Sequence, residues 1–201
     1  MIDGWGKRKL EPLLAKVAAW LASFGVTANA VTVASLAAGL AAGAAAAAGQ
    51  FWVALALVLL SRLGDGLDGA VARVKAPTDF GGYIDIVFDF VYYGAVPLGF
   101  IFHDPAANGI AGAFLLFAFY VNGASFLAFA AIAEKRGMQT LARGEKSFFF
   151  TTGLAEAGET LIAFVLACLW PAWFPVIAWT FAVITLYTAV ARIVLAARAF
   201  R

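Results

Sequence analysis

The chain has 201 residues, of which 64% are hydrophobic and 13% charged, with a formal net charge of +2 and a mean hydropathy of +0.90. Soluble domains carry about 25% charged and about 45–50% apolar residues, so a soluble globular enzyme is excluded. No stretch of soluble-domain size is left between the apolar segments, and a single all-α membrane domain over residues 1–201 is expected.

The N-terminus is polar and basic, with Asp3, Lys7, Arg8, Lys9 and Glu11, which does not fit a cleavable signal sequence. Over 5–24, Trp5, Leu10, Leu13, Leu14, Val17, Trp20 and Leu21 recur at helical spacing, with Lys7, Arg8 and Lys16 off the stripe. The pattern predicts a basic amphipathic helix in the membrane interface; a solvated helix packed on the bundle is the alternative. Crossing the hydrocarbon takes roughly 20 apolar residues. Six segments qualify, at 28–48, 51–74, 81–102, 108–133, 148–170 and 173–197. The first holds Ala34, Ala37, Ala38, Ala41, Ala42 and Ala45. Small residues let helix backbones approach closely, so this span is expected inside the bundle. The single Cys168 lies in an apolar run and has no intrachain disulfide partner.

Lys and Arg set the orientation. With the N-terminus inside, the outer connections 49–50, 103–107 and 171–172 hold neither residue. The inner regions hold Lys7, Arg8, Lys9 and Lys16, then Arg73 and Lys75, then Lys135, Arg136, Arg143 and Lys146, then Arg198 and Arg201. Arg62 and Arg192 sit within spans, toward their inner ends. The expectation is an inner-membrane, multi-pass protein with both termini cytoplasmic.

Carboxylates inside a membrane are costly and functional by default. Asp65 and Asp68 are three apart, and Asp85 and Asp89 are four apart, so each pair shares a helix face. Gly69 and Gly81 lie on the same faces and leave room for a ligand. Four anions cannot stay ionised together near lipid without compensation, and Arg73 supplies one charge only. Divalent cations are the natural partners. All-oxygen ligation suits magnesium, manganese or calcium better than zinc. The one histidine, His103, falls on the opposite side of the membrane.

The same residues resemble the signature of the CDP-alcohol phosphotransferase (CDP-alcohol phosphatidyltransferase) family, D-x-x-D-G-x-x-A-R, a spacer, then G-x-x-x-D-x-x-x-D. Asp65, Asp68, Gly69, Ala72, Arg73, Gly81, Asp85 and Asp89 fill every fixed position. The spacer is seven residues, where the family commonly has eight. The family's Pro-Asn-x-x-Thr at the start of the first span is present as Ala28-Asn29-Ala30-Val31-Thr32, without the proline; an ordinary helix cap and first turn is the competing reading. The topology is also similar, to a subgroup of short bacterial members.

The resemblance implies a cytoplasmic active site, CDP-diacylglycerol as donor, and two Mg²⁺ (or Mn²⁺) ions. Asp65, Asp68 and Asp85 would be metal ligands, with Asp89 shared and acting as catalytic base. Asn29, Thr32, Gly69, Ala72, Arg73, Thr78 and Gly81 would bind the donor. Lys75 reads equally as a charge that sets topology. A homodimer is implied, and no nucleic-acid partner.

The acceptor is less determined. Arg143, Lys146 and Arg192 are candidates to hold an acceptor phosphate, although positive-inside charges need no such role. Glu156 and Glu159 share a face of the fifth span with Thr152. They suit a polyol or an amine, or form a buried pair satisfied by Arg62, Asn122 or Ser125. A small polyol or polyol phosphate such as glycerol 3-phosphate is expected. Amino alcohols (serine, ethanolamine, choline) are the alternative acceptors, and an ion-coupled transporter is the non-enzymatic alternative.

Overall fold

The computed structural model describes residues 2–138 and 157–200, with side chains described from residue 11 onward. Every regular element among them is helical. The order is α1 (Ile2–Ser23), α2 (Ala28–Ala47), α3 (Phe51–Lys75), α4 (Asp79–His103), α5 (Pro105–Lys135), α6 (Ala157–Leu169) and α7 (Phe174–Ala199), with a 3-10 turn at Pro171–Trp173 before α7. The segments expected as spans overlap α2 to α7, with residues 148–156 of the fifth outside the described residues.

Among the described residues, four segments are long and apolar enough to cross a membrane: Ala28–Ala47, Asp79–His103, Pro105–Lys135 and Pro171–Ala199. The 25 residues of α3 would reach about 37 Å at a rise of about 1.5 Å each. Arg62, Asp65 and Asp68 make it too polar to meet that measure. The described part of α6 is 13 residues, all but Glu159 uncharged.

The apolar stripe of α1 divides in two. Leu14, Ala18 and Leu21 pack with Leu67, Ala70 and Val71 of α3 and with Ala28 and Val31 of α2. Leu13, Val17, Trp20 and Phe24 point outward. One face therefore docks on the bundle while a second, at i, i+4, i+7 and i+11, stays apolar and exposed. The contacts of Leu14, Ala18 and Leu21 are those of a helix packed on the bundle.

Helix α2 packs through a different set of small residues than the alanines named above: of those only Ala42 is buried, while Ala34, Ala37 and Ala41 are exposed. Thr27 caps the helix by accepting from the Ala30 amide at 3.2 Å. Thr32, Ser35, Gly39, Ala42, Gly43 and Ala46 then form its buried ridge. A Cβ at Gly43 would stand 2.5 Å from the Ala95 carbonyl oxygen, and one at Gly99 would run into the Gly43 carbonyl. Helices α2 and α4 thus touch backbone to backbone. Gly43→Val is expected to cost about 3 kcal/mol through overpacking against an atom that cannot move aside, read as a lower thermal midpoint in detergent. An unchanged midpoint would show that the helices separate at no cost.

The core runs between the helices from Ala54 and Val58 through Tyr92, Val96 and Phe100 to Leu115, Phe164, Phe174 and Phe181. Phe100 stacks on Phe174 at 4.6 Å between centroids. Cys168 is buried in this core. The exterior is lined by large apolar side chains, including Ile110, Phe117, Val183, Tyr187 and Val190, as a lipid-facing surface requires. Trp52, Phe102, Trp170 and Trp173 are exposed beside the connections that lack Lys and Arg, where interfacial aromatics collect.

Candidate active site

The site lies where the end of α3 meets the beginnings of α2 and α4. Helix α3 runs through Lys75, and Thr78 caps α4 by accepting from the Gly81 amide at 3.1 Å. Only residues 76–78 lie outside a helix, so the expected seven-residue loop is a three-residue connection. Ala76 takes φ +73° there, a backbone region that costs a Cβ-bearing residue energy.

This tight turn puts the two aspartate pairs face to face. One carboxylate oxygen from each of Asp65, Asp68 and Asp85 lies within 4.8 Å of the others. Asp68 is 6% exposed, and its buried Oδ2 has no hydrogen-bond partner among the described residues. A buried, unpaired carboxylate oxygen is costly. Beside two further carboxylates it fits a hard divalent cation with oxygen ligands.

Asp89 lies one turn further along α4 and meets a different partner. Its Oδ1 accepts from Arg62 Nη1 at 2.7 Å, and the same Nη1 is 3.6 Å from Asp65 Oδ2. The structure thus gathers three aspartates and couples the fourth to them through Arg62. Sequence reasoning placed Arg62 as an inner-end charge and as one possible partner of Glu156 and Glu159. The available signal was its position three residues before Asp65, on the same helix face of an apolar span.

A cavity of about 420 Å³ opens against Asp68 and Asp85. Asn29, Thr32, Gly69, Ala72, Thr78 and Gly81 line it, as do Lys75 and Gly82. The first turns of α2 and α4 both face it, so backbone amides without intrahelical partners and the positive helix ends border one space. Thr32 is a buried side chain whose hydroxyl donates to the Ala28 carbonyl at 3.0 Å. The cap of α2 is Thr27, so Asn29 and Thr32 are free of the capping duty that competed with a binding role. Gly81 is needed for the approach of α2: a Cβ there would lie 3.0 Å from both Asn29 Oδ1 and Thr78 Oγ1. Arg73 is exposed, and its Nη1 would stand 3.8 Å from a Cβ at Gly69, at the rim of the cavity.

Of the acceptor candidates, the two that are described, Glu159 and Arg192, do not line this cavity. Arg143, Lys146 and Glu156 lie outside the described residues. Glu159 is in the first turn of α6 and lines a separate apolar groove of about 320 Å³ between α6 and α7, with Ile162, Val176, Thr180 and Ile184. Arg192 of α7 binds α5, donating from Nη1 to the Asn122 carbonyl, Asn122 Oδ1 and Ser125 Oγ at 3.0, 2.9 and 2.8 Å. Asn122 and Ser125 thus serve Arg192, and Arg62 serves Asp89 and Asp65.

Known proteins resemble this chain in sequence and in fold. The chain is 44% identical over 174 residues to inner membrane protein YnjF of Escherichia coli (strain K12), covering 87% of this chain and 84% of that one. It resembles the crystal structure of Mycobacterium tuberculosis phosphatidylinositol phosphate synthase (PgsA1) with CDP-DAG bound, with a TM-score of 0.71 and 26% identity over 90% of this chain and 92% of the other. The same enzyme in complex with manganese and citrate matches with a TM-score of 0.65 and 25% identity, over 90% of this chain and 87% of the other. The sequence profile described as CDP-alcohol phosphatidyltransferase matches residues 25–191, a stretch that holds the whole aspartate cluster, the cavity wall and Arg62. With that span matched, the chain belongs to the CDP-alcohol phosphatidyltransferase family.

Proposed function

We propose that this CDP-alcohol phosphotransferase moves a phosphatidyl group from CDP-diacylglycerol to a hydroxyl of a small polyol or polyol phosphate and releases CMP. The observation that carries this reading is the cavity at Asp68 and Asp85, walled by the first turns of α2 and α4. Helix N-termini favour a pyrophosphate, and Gly69, Ala72 and Gly81 let it approach backbone. Asn29, Thr32 and Thr78 bind the cytidine side, and Arg73 and Lys75 pair with phosphate from the rim. The PgsA1 structure with CDP-DAG bound supports the same donor here.

Asp65, Asp68 and Asp85, with Asp89 shared, would hold two magnesium or manganese ions, which would supply positive charge for the pyrophosphate and the departing CMP. Asp89 orients the acceptor hydroxyl and takes its proton late, as the new O–P bond forms and the phosphoanhydride P–O bond breaks. Gathering the ligands on two rigid helices joined by three residues keeps them close before substrate arrives.

Six spans with both termini and the site on the cytoplasmic side complete the reading. The Lys and Arg distribution and the aromatic ends near the uncharged connections support it, as does the name of the E. coli relative. In this arrangement the outward stripe of α1 rests in the interface. A homodimer is proposed on the family resemblance alone.

The described partners of Arg192, Asn122 and Ser125, are neutral. A phosphorylated acceptor would give this guanidinium an anionic partner, which supports such an acceptor over an amino alcohol. Arg192→Gln is expected to raise KM for such an acceptor about tenfold, the worth of one charge-assisted hydrogen bond, and to leave KM for CDP-diacylglycerol unchanged. Equal acceptor KM in the two proteins would remove Arg192 from the acceptor site.

The test of the whole reading is purified protein with CDP-diacylglycerol, Mg²⁺ and a panel of acceptors, following CMP and the lipid product. Glycerol 3-phosphate, inositol phosphate and inositol form one arm; serine, ethanolamine and choline form the other. Turnover only in the second arm would replace polyols by amino alcohols. No CMP with any acceptor would overturn the donor assignment.

A further inference from the structure

Arg62 is a cation built into the aspartate cluster. Its side chain is 12% exposed, lies with Cζ 3.9 Å above the Tyr92 ring, and touches Asp89 at 2.7 Å and Asp65 at 3.6 Å. Its position is fixed from below. Tyr92 is fully buried, and its ring fits because residue 39 of α2 is glycine: a Cβ there would stand 2.6 Å from Tyr92 Cδ2 and 3.1 Å from Ser61 Oγ. Ser61, next to Arg62 in sequence, donates to the Ser35 carbonyl at 2.8 Å, which locks the turn of α3 that bears Arg62. The guanidinium thus rests on a stacked platform and has little freedom to leave.

A fixed positive charge here has two opposed effects. It neutralises part of a cluster that could not otherwise keep four carboxylates together without metal. It also repels any cation arriving at Asp65, Asp68 and Asp85, and competes with it for Asp65 and Asp89. We propose that Arg62 is a positioning residue that acts as the resident counter-ion of the cluster, holding Asp89 in place and limiting how tightly the divalent cation binds. The inference rests on the metal reading of the aspartates given above. Its functional sense is exchange: a site with its own counter-ion stays folded when empty and can release its cation with the product.

The experiment measures Mn²⁺ binding by electron paramagnetic resonance of free Mn²⁺ on purified protein without substrates, and thermal midpoints in EDTA and in Mn²⁺. Arg62→Met and Arg62→Gln remove the charge, and Arg62→Lys keeps it. The neutral variants are expected to bind Mn²⁺ about tenfold more tightly, because a like charge a few ångströms away is gone. They are also expected to melt lower than the parent in EDTA, with most of the deficit removed by Mn²⁺. Arg62→Lys is expected to keep parental affinity within about threefold, since the charge is retained on a less ordered side chain.

A purely structural Arg62 would lower the midpoint equally with and without Mn²⁺ and leave affinity unchanged, and that result overturns the proposal. Weaker Mn²⁺ binding in the neutral variants overturns it too. If one neutral variant does not fold, the other decides; if neither folds in EDTA or Mn²⁺, the cation fails to replace Arg62 and the proposal falls. Parental protein that binds no Mn²⁺ would overturn the metal reading itself, whereas parental binding without tightening in the variants overturns only the role of Arg62.

Discussion

Asp68→Asn is expected to lower kcat by about 10³-fold, the loss of roughly 4 kcal/mol of charge stabilisation that a correctly held cation supplies. Asp68 is the most buried of the three gathered aspartates, and it lines the cavity as well as the cluster. It is thus the residue through which cation and donor are placed relative to each other. An amide in its place keeps the shape and removes the charge. Its buried Oδ2 has no partner among the described residues, so relief of an unpaired carboxylate oxygen offsets any lost contact, and stability in EDTA should be equal or higher. The Mn²⁺-induced rise in thermal midpoint should disappear. Activity at the parental level, or a preserved Mn²⁺ shift, would mean that the cation is held elsewhere.

Asp89→Asn is expected to reduce kcat by about 10³-fold at saturating divalent cation, within the range a positioned general base contributes. KM for CDP-diacylglycerol should stay within about threefold, because the loss falls on the chemical step rather than on donor binding. The geometry makes the substitution clean. The introduced amide can still accept from Arg62 through its carbonyl oxygen, so the pairing that ties α3 to α4 survives as a weaker hydrogen bond to a neutral acceptor. What is lost is the capacity to take a proton. The discriminating measurement is single-turnover CMP formation alongside CDP binding. Normal single-turnover rates would remove Asp89 from the proton transfer, while loss of CDP binding would make it a ligand first and a base second.

Both substitutions change residues that were visible in the sequence, and the reason is physical. Pairs at i, i+3 and i, i+4 can be read as one helix face without a structure, and carboxylates in apolar spans stand out against their surroundings. The same holds for Gly69 and Gly81, which were read from their spacing to the aspartates, whereas Ala72 followed from the family resemblance. The close packing of α2 was legible only as a property of the whole span: its buried ridge is Thr32, Ser35, Gly39, Ala42, Gly43 and Ala46, which shares only Ala42 with the alanines read from the sequence, because small residues lie on every face of this helix and composition does not select one.

Other features could not be read one helix at a time. The partner of Asp89 depends on how α3 and α4 are rotated against each other, and it is Arg62, a residue read from the sequence as an inner-end charge or a partner of Glu156 and Glu159. Asn122 and Ser125, considered as partners for the glutamates, bind Arg192 because α5 and α7 pack together. Glu159 faces a groove between α6 and α7, away from the cavity, which spacing within one helix does not reveal. The length of the α3–α4 connection was overestimated because the polar residues Lys75 and Asp79 continue their helices beyond the apolar stretch.

By itself the sequence determined that this is a helical membrane protein, which helices carry the chemistry, and which carboxylates are candidates to meet a cation, because periodicity and the cost of burying charge act along one chain segment at a time. Only the tertiary structure decided that three aspartates come within reach of one cation, that the fourth is held by Arg62 on the Tyr92 platform, and that the first turns of α2 and α4 close one cavity. Those are contacts between segments, set by close packing at Gly39, Gly43 and Gly99, and packing between helices is not written in the period of any one of them.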